Sequence, residues 1–147
     1  MRLIDIVADK LANTNLMEMA FQRREVENRI TDLANPLVVH LIKILVFPKS
    51  AYKDHWIKEV NNWLRTINKF KLKPKNKRPT YAQYNEWIIE KWELYNQIPT
   101  ILKELKTDYP SEKILLPNRL REDLLTIMHS ICKDLAKDEL KYIKEYF

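Results

Sequence analysis

Between Val60 and Asn85 the chain carries seven cations and no carboxylate: Arg65, Lys69, Lys71, Lys73, Lys75, Lys77 and Arg78. Seven is one more than the net charge of +6 of the whole chain, so the basicity is local and not spread over the surface. A concentrated positive field draws polyanions, most simply the phosphates of a nucleic acid, and an acidic protein face would answer the same charge. Trp63, Phe70, Tyr81 and Tyr84 are near enough in sequence to stack on bases. The plainer reading of the same residues is a solvated loop whose cations offset the negative end of the helix before it.

A second constellation sits in the apolar run 37–47, where His40 and Lys43 fall one helical turn apart. Burying an ammonium there costs free energy unless it is paired or its head reaches water. A desolvated lysine beside an imidazole can act as a base or nucleophile, so these two are the catalytic candidates of an enzyme reading. That reading requires a cleft beside them, walled by Trp56 or Trp63. The competing one is a structural hydrogen-bonding pair. His55 and Glu59, also one turn apart, read as surface neighbours. His129 and Cys132 are spaced to offer two metal ligands from one helix, but zinc takes four and the chain holds one cysteine and three histidines. No metal or other cofactor is expected.

The elements that must position these groups follow from what the chain lacks. It contains no glycine, where average usage of about 7% would supply roughly ten in this length. Glycine is the residue that reaches positive φ cheaply, so hairpins, bulges and phosphate-cradling loops become hard to build. The P-loop, the G-x-G-x-x-G turn and the G-x-S-x-G elbow are all excluded. An all-α fold is expected, as one helical domain over 1–147, because a chain of this size buries enough surface for a single core. One cysteine permits no internal disulfide, the first residues include acids in place of an apolar leader, and the run 37–47 is too short to span a bilayer. The expectation is a cytoplasmic protein without membrane contact.

Hydrophobic spacing divides the chain further. Leu3, Ile4, Val7 and Leu11 predict a short first helix ended by Asn13, Thr14 and Asn15. Leu16, Met19, Ala20, Val26, Ile30 and Leu33 predict a second, and Pro36 either ends it or starts a central helix over 36–47. Ser50 is the expected N-cap of a helix bearing Tyr52, Trp56, Val60, Trp63, Leu64 and Ile67. Residues 71–79 read as an exposed connection. Thr80 and Gln83 form a capping-box pattern, followed by Tyr84, Trp87, Ile88, Trp92, Tyr95 and Ile98 on one face. Pro99 kinks or restarts that helix. Asn118 is the expected N-cap of a last helix with Leu120, Leu124, Ile127, Met128, Ile131 and Leu135 inward, and Tyr142, Ile143, Tyr146 and Phe147 dock weakly or meet a second subunit. The sum is a single irregular bundle of five or six helices.

The run Leu37-Val38-Val39-His40-Leu41-Ile42-Lys43, followed after a proline by His55-Trp56-Ile57-Lys58-Glu59-Val60-Asn61-Asn62-Trp63-Leu64, resembles the bacterial helical family catalogued as domain of unknown function 29. Members look similar in having an apolar helix with H-L-L-K, a proline-marked break, then a helix with a tryptophan and a basic amphipathic stretch. The likeness covers residues 16–70; an aromatic-rich N-terminal segment is missing and nothing from 71 onward corresponds. It implies an all-α bacterial domain of unassigned activity, with His40, Lys43 and Trp56 as the positions that carry it. Taken together, the residues favour a binding module that takes nucleic acid or an acidic protein through 65–78. The alternatives are an enzyme using His40 and Lys43, and a homo-oligomeric scaffold built on the aromatic face of 81–98.

Overall fold

The structure, a computed structural model, describes the backbone of residues 3–147 apart from position 74, and side chains from Met17 onward apart from Met19 and position 74. Five helices account for most of it. They are α1 (Leu3–Val46), α2 (Lys53–Lys69), α3, α4 (Ile98–Asp108) and α5 (Leu120–Lys137). The third helix is composite, α-helical over Tyr81–Tyr84, π-helical over Asn85–Glu90 and α-helical again over Lys91–Tyr95. A 3-10 turn, Ile143–Tyr146, closes the chain. Among the described residues there is no strand, only an isolated antiparallel bridge between Leu72 and Lys77. The fold is all-α, as the missing glycines imply.

Two expected breaks do not occur. The backbone stays helical through Asn13, Thr14 and Asn15 and through Pro36, so the three helices read from spacing are one 44-residue rod, about 66 Å long. A proline inside a helix removes one i to i−4 bond, here to the Asp32 carbonyl, and Asp32 is exposed, so water can take the vacant acceptor. Good helix formers on either side then outweigh the three polar residues. The side-chain stripe of Leu3, Ile4, Val7, Leu11 and Leu16 lies outside the described residues, as does that of Met19. Met17 and Phe21 are exposed, and α1 joins the bundle from Val26 and Ile30 onward.

Helix starts depart from the sequence reading in two of three cases. Thr80 and Gln83 make the full capping box, Gln83 N–H donating to Thr80 Oγ1 at 3.2 Å and Thr80 N–H to Gln83 Oε1 at 2.9 Å. Ser50 does not cap α2, which begins after Tyr52; its hydroxyl accepts from Tyr52 N–H at 3.1 Å and donates to Glu112 at 2.9 Å instead. Asn118 is likewise displaced, because α5 begins after Arg119 with no side-chain cap, and Glu122 and Asp123 in the first turn supply the dipole complement. Pro99 restarts the chain as α4.

The π-helical stretch explains a further miss. It buries Trp87, Ile88 and Ile89 in succession, which an α-helix with one apolar face would not do. The wider turn inserts about one residue into the register, so Trp92 stays inward while Tyr95, expected on the same face, rotates out and is 80% exposed. Buried side chains form one cluster from Ile30 to Ile143, in which α2 packs along the second half of α1, and α3 and α5 close the other side.

Candidate functional site

The inner face of α2 carries Trp56, Ile57, Val60, Leu64 and Ile67, all buried. Helical periodicity therefore brings Lys58, Asn62, Arg65 and Lys69, at steps of four, three and four, out on one exposed edge. Past Phe70 the chain makes a tight hairpin, with Leu72 N–H donating to the Lys77 carbonyl at 2.7 Å and the return bond at 2.9 Å. Asn76 stands at φ 55 there, taking the left-handed position that glycine would ordinarily fill. Its side chain also accepts from Lys73 Nζ at 3.1 Å. The described part of the basic connection thus displays Lys73, Lys75 and Lys77 to solvent, with Lys71 half-buried at its base.

Arg78 differs from the other six sequence candidates. Its guanidinium donates to the Asn68 side chain at 2.7 Å, to the Asn68 carbonyl at 3.3 Å and to the Leu135 carbonyl at 3.3 Å, and pairs with Asp138 at 2.8 Å. Those carbonyls belong to the last turns of α2 and α5, so one cation clamps the negative ends of two helices. Arg78 is committed to the fold. Among the described residues Arg65, Lys69, Lys71, Lys73, Lys75 and Lys77 enter no ion pair.

Sequence reasoning missed the part of this surface that comes from the far end of the chain. Ile143 is fully buried, its N–H donates to Asn61 Oδ1 at 2.8 Å, and the Tyr146 hydroxyl donates to Asp134 at 2.7 Å while accepting from Lys141 N–H at 3.2 Å. These bonds fix the tail across α2 and leave two grooves of about 380 and 360 Å³. Arg65 and Tyr142 wall both; Lys141 and Glu145 line the first, Lys58, Lys144 and Asp54 the second. The dense charge of the tail is visible in the sequence, but its meeting with α2 is set by the buried Ile143.

The aromatic candidates also redistribute. Tyr84 is fully buried, and burial pushes its phenol above the ordinary tyrosine range. Trp63 packs edge-on against His40 at 4.7 Å, and Phe70 lies under the Arg29 guanidinium at 5.9 Å. Tyr81 is partly exposed, its hydroxyl 2.9 Å from His129 Nδ1. Tyr142, 67% exposed between the two grooves, is the ring that faces solvent among the cations.

His40 and Lys43 are both accommodated at the α1–α2 seam, by different neighbours. His40 donates from Nε2 to Glu59 at 2.5 Å, and His55 donates from its own Nε2 to the other oxygen of the same carboxylate at 2.6 Å. His55 and Glu59 are therefore joined to His40 across the seam and are not merely surface neighbours. His40 Nδ1 is buried without a partner, so the imidazole is held as the Nε2–H tautomer. Burial first, then the Lys43 ammonium, lower its pKa below 6.5, against a weaker upward pull from Glu59. Lys43 donates to the Tyr109 hydroxyl at 3.2 Å and lies 5.6 Å from the Trp56 ring and 5.3 Å from that of Tyr109. None of the five main grooves is lined by His40 or Lys43. The arrangement ties α1 to α2 through Glu59, and to Tyr109 after α4 through Lys43.

Cys132 is buried in α5, and desolvation pushes its thiol up to about 12, which leaves it a packed thiol. Among the described residues no group of three or more His, Cys, Asp or Glu is placed to hold a metal ion, and no helix is long and apolar enough to cross a membrane. The chain matches no protein-family model, no curated protein and no solved structure.

Proposed function

We propose that this chain is a binding module whose basic surface, formed by the outer edge of α2 and the hairpin after it, takes a polyanion, with nucleic acid as the first partner class. One observation carries the reading. Six of the seven cations in the acid-free stretch of the sequence enter no ion pair among the described residues, and only Arg78 is paired, with Asp138. Cations whose field is not cancelled locally project it outward, and multivalent anions gain most from it through release of counterions. The seam at His40 and Lys43 supports the reading less directly, by joining α1 to α2 through Glu59. The tie to the domain of unknown function 29 family belongs to the same proposal and adds no reaction.

The test is binding of a labelled mixed-sequence oligonucleotide at low salt, followed by anisotropy. Affinity is expected to fall steeply as salt rises, and the variant with Lys71, Lys73, Lys75 and Lys77 all changed to Glu is expected to lose about hundredfold or more while keeping its thermal midpoint. Absence of binding by the unaltered chain, or binding indifferent to the four reversals, defeats the reading.

A further inference from the structure

We infer that the anion is single-stranded nucleic acid, with its backbone running along the outer edge of α2 and its bases stacking on Tyr142; this rests on the polyanion reading above and specifies it. Two kinds of recognition element converge on one surface. The first is a track of cations. Lys58, Arg65 and Lys69 stand on one edge of α2, spread over about 16 Å of helix axis, and Lys141 and Lys144 flank it from the tail. Asp54 and Glu145 also line the grooves beside Arg65, and Lys141 lies 3.9 Å from Asp134, so the positive charge with no acid lining beside it lies toward Lys69 and the hairpin.

The second element is the ring of Tyr142. It walls both grooves, each a space of a few hundred Å³, and is 67% exposed. Exposed tyrosines usually sit on backbone that can move, but here the residues around Tyr142 are fastened. Lys141 N–H bonds the Tyr146 hydroxyl, Ile143 N–H bonds Asn61, and the Ile143 side chain is fully buried. The ring is held out from a fixed support, which lowers the ordering cost of stacking. Asn61, which lines both grooves and accepts from Ile143 N–H through Oδ1, adds amide N–H donors beside it.

A duplex keeps its bases stacked on one another and shows its phosphates outward, so it would use the cations and leave Tyr142 idle. A single strand uses both, since every base has a face to place on an aromatic ring next to a positive groove. An acidic peptide has charge but no flat rings in register, and would likewise leave Tyr142 without a role.

The experiment compares a labelled 12-nucleotide oligo(U), a duplex of the same length, inorganic polyphosphate and poly-glutamate on the full chain. Oligo(U) is expected to bind more tightly than the duplex. Tyr142→Ala is expected to weaken oligo(U) by about tenfold and to leave polyphosphate unchanged, whereas Tyr142→Trp retains full binding. Arg65→Glu weakens both ligands. Far-UV circular dichroism checks folding, and should Tyr142→Ala misfold, Tyr142→Ser and Tyr142→Trp decide by the same criterion. Equal oligo(U) affinity for Tyr142→Ala and the unaltered chain, a duplex bound as tightly as the single strand, or poly-glutamate competing as well as oligo(U) overturns the inference while the polyanion reading survives. Failure to bind any of the four anions overturns that reading as well.

Discussion

The two edges of α2 use their polar side chains in opposite ways. On the edge that meets α1, Glu59 receives both His40 and His55, Trp63 covers His40, and Trp56 helps to cover Lys43. On the outer edge Lys58, Arg65 and Lys69 enter no ion pair among the described residues. The lesson is that a charged side chain signals function by what fails to answer it. His40 and Lys43 look more chemical in the sequence, yet their neighbours use up what they offer, while the ordinary lysines of the outer edge keep their field.

Arg78 and Lys77 are adjacent and stand on opposite sides of that contrast, which makes them the strongest test of it. Arg78→Ala removes four contacts to the ends of α2 and α5 and leaves the Asn68 and Leu135 carbonyls without this donor. A stability loss of about 2 kcal/mol is expected, read from urea denaturation. Lys77→Ala, on an exposed side chain, should stay within about 0.5 kcal/mol. Similar losses for the two would break the distinction between committed and outward-facing cations.

This pair also shows how much the sequence discloses. The acid-free window, the all-α class, the capping box at Thr80, the inward stripe of α5 and that of α2 except Tyr52, which is 55% exposed, follow from composition and from a period of 3.6 residues, and these are local signals. That Arg78 turns inward is not local, because its partner Asp138 lies 60 positions away and is brought near by the packing of α3 against α5. The same holds for Tyr142, whose place beside Arg65 depends on Ile143 being buried against α2. Tyr95 and Pro36 fail for another reason. Each breaks a helix rule whose cost is about one hydrogen bond or one residue of register, and tertiary burial on both sides is large enough to absorb it. Asn76 supplies the hairpin that a chain without glycine was expected to avoid, since asparagine tolerates positive φ better than other residues.

A smaller effect is expected at Lys43. Changing it to Met keeps the aliphatic stem and removes the ammonium from the faces of Trp56 and Tyr109 and from the Tyr109 hydroxyl. The expected loss is about 1 kcal/mol of stability, with oligonucleotide binding unchanged. A drop in binding without a drop in stability would move Lys43 from the seam to the site and blur the comparison of the two edges.

The finest test uses pH, because the seam holds histidines and the outer edge holds none. The folded-state pKa of His40 lies below 6.5, chiefly through burial, so the folded chain resists its protonation while the unfolded chain accepts it at the ordinary value. The unfolded state therefore binds the extra proton first as pH falls. The stability contributed by neutral His40 is complete above pH 6.5 and is lost progressively as pH drops below that value toward the lowered one. The urea midpoint should accordingly fall between about pH 7.5 and 5.5, and His40→Gln, which can still donate to Glu59, should fall less steeply over the same range. Oligonucleotide affinity at the outer edge should stay nearly flat from pH 7.5 to 6.5, since no titrating imidazole belongs to it. If His40→Gln kept the full slope, the pH dependence would belong to another group; if stability rose on acidification, protonated His40 would be the folded form and Glu59 would hold a charge pair at the seam. The inner edge would then owe its order to attraction between full charges and not to a neutral imidazole fixed by burial.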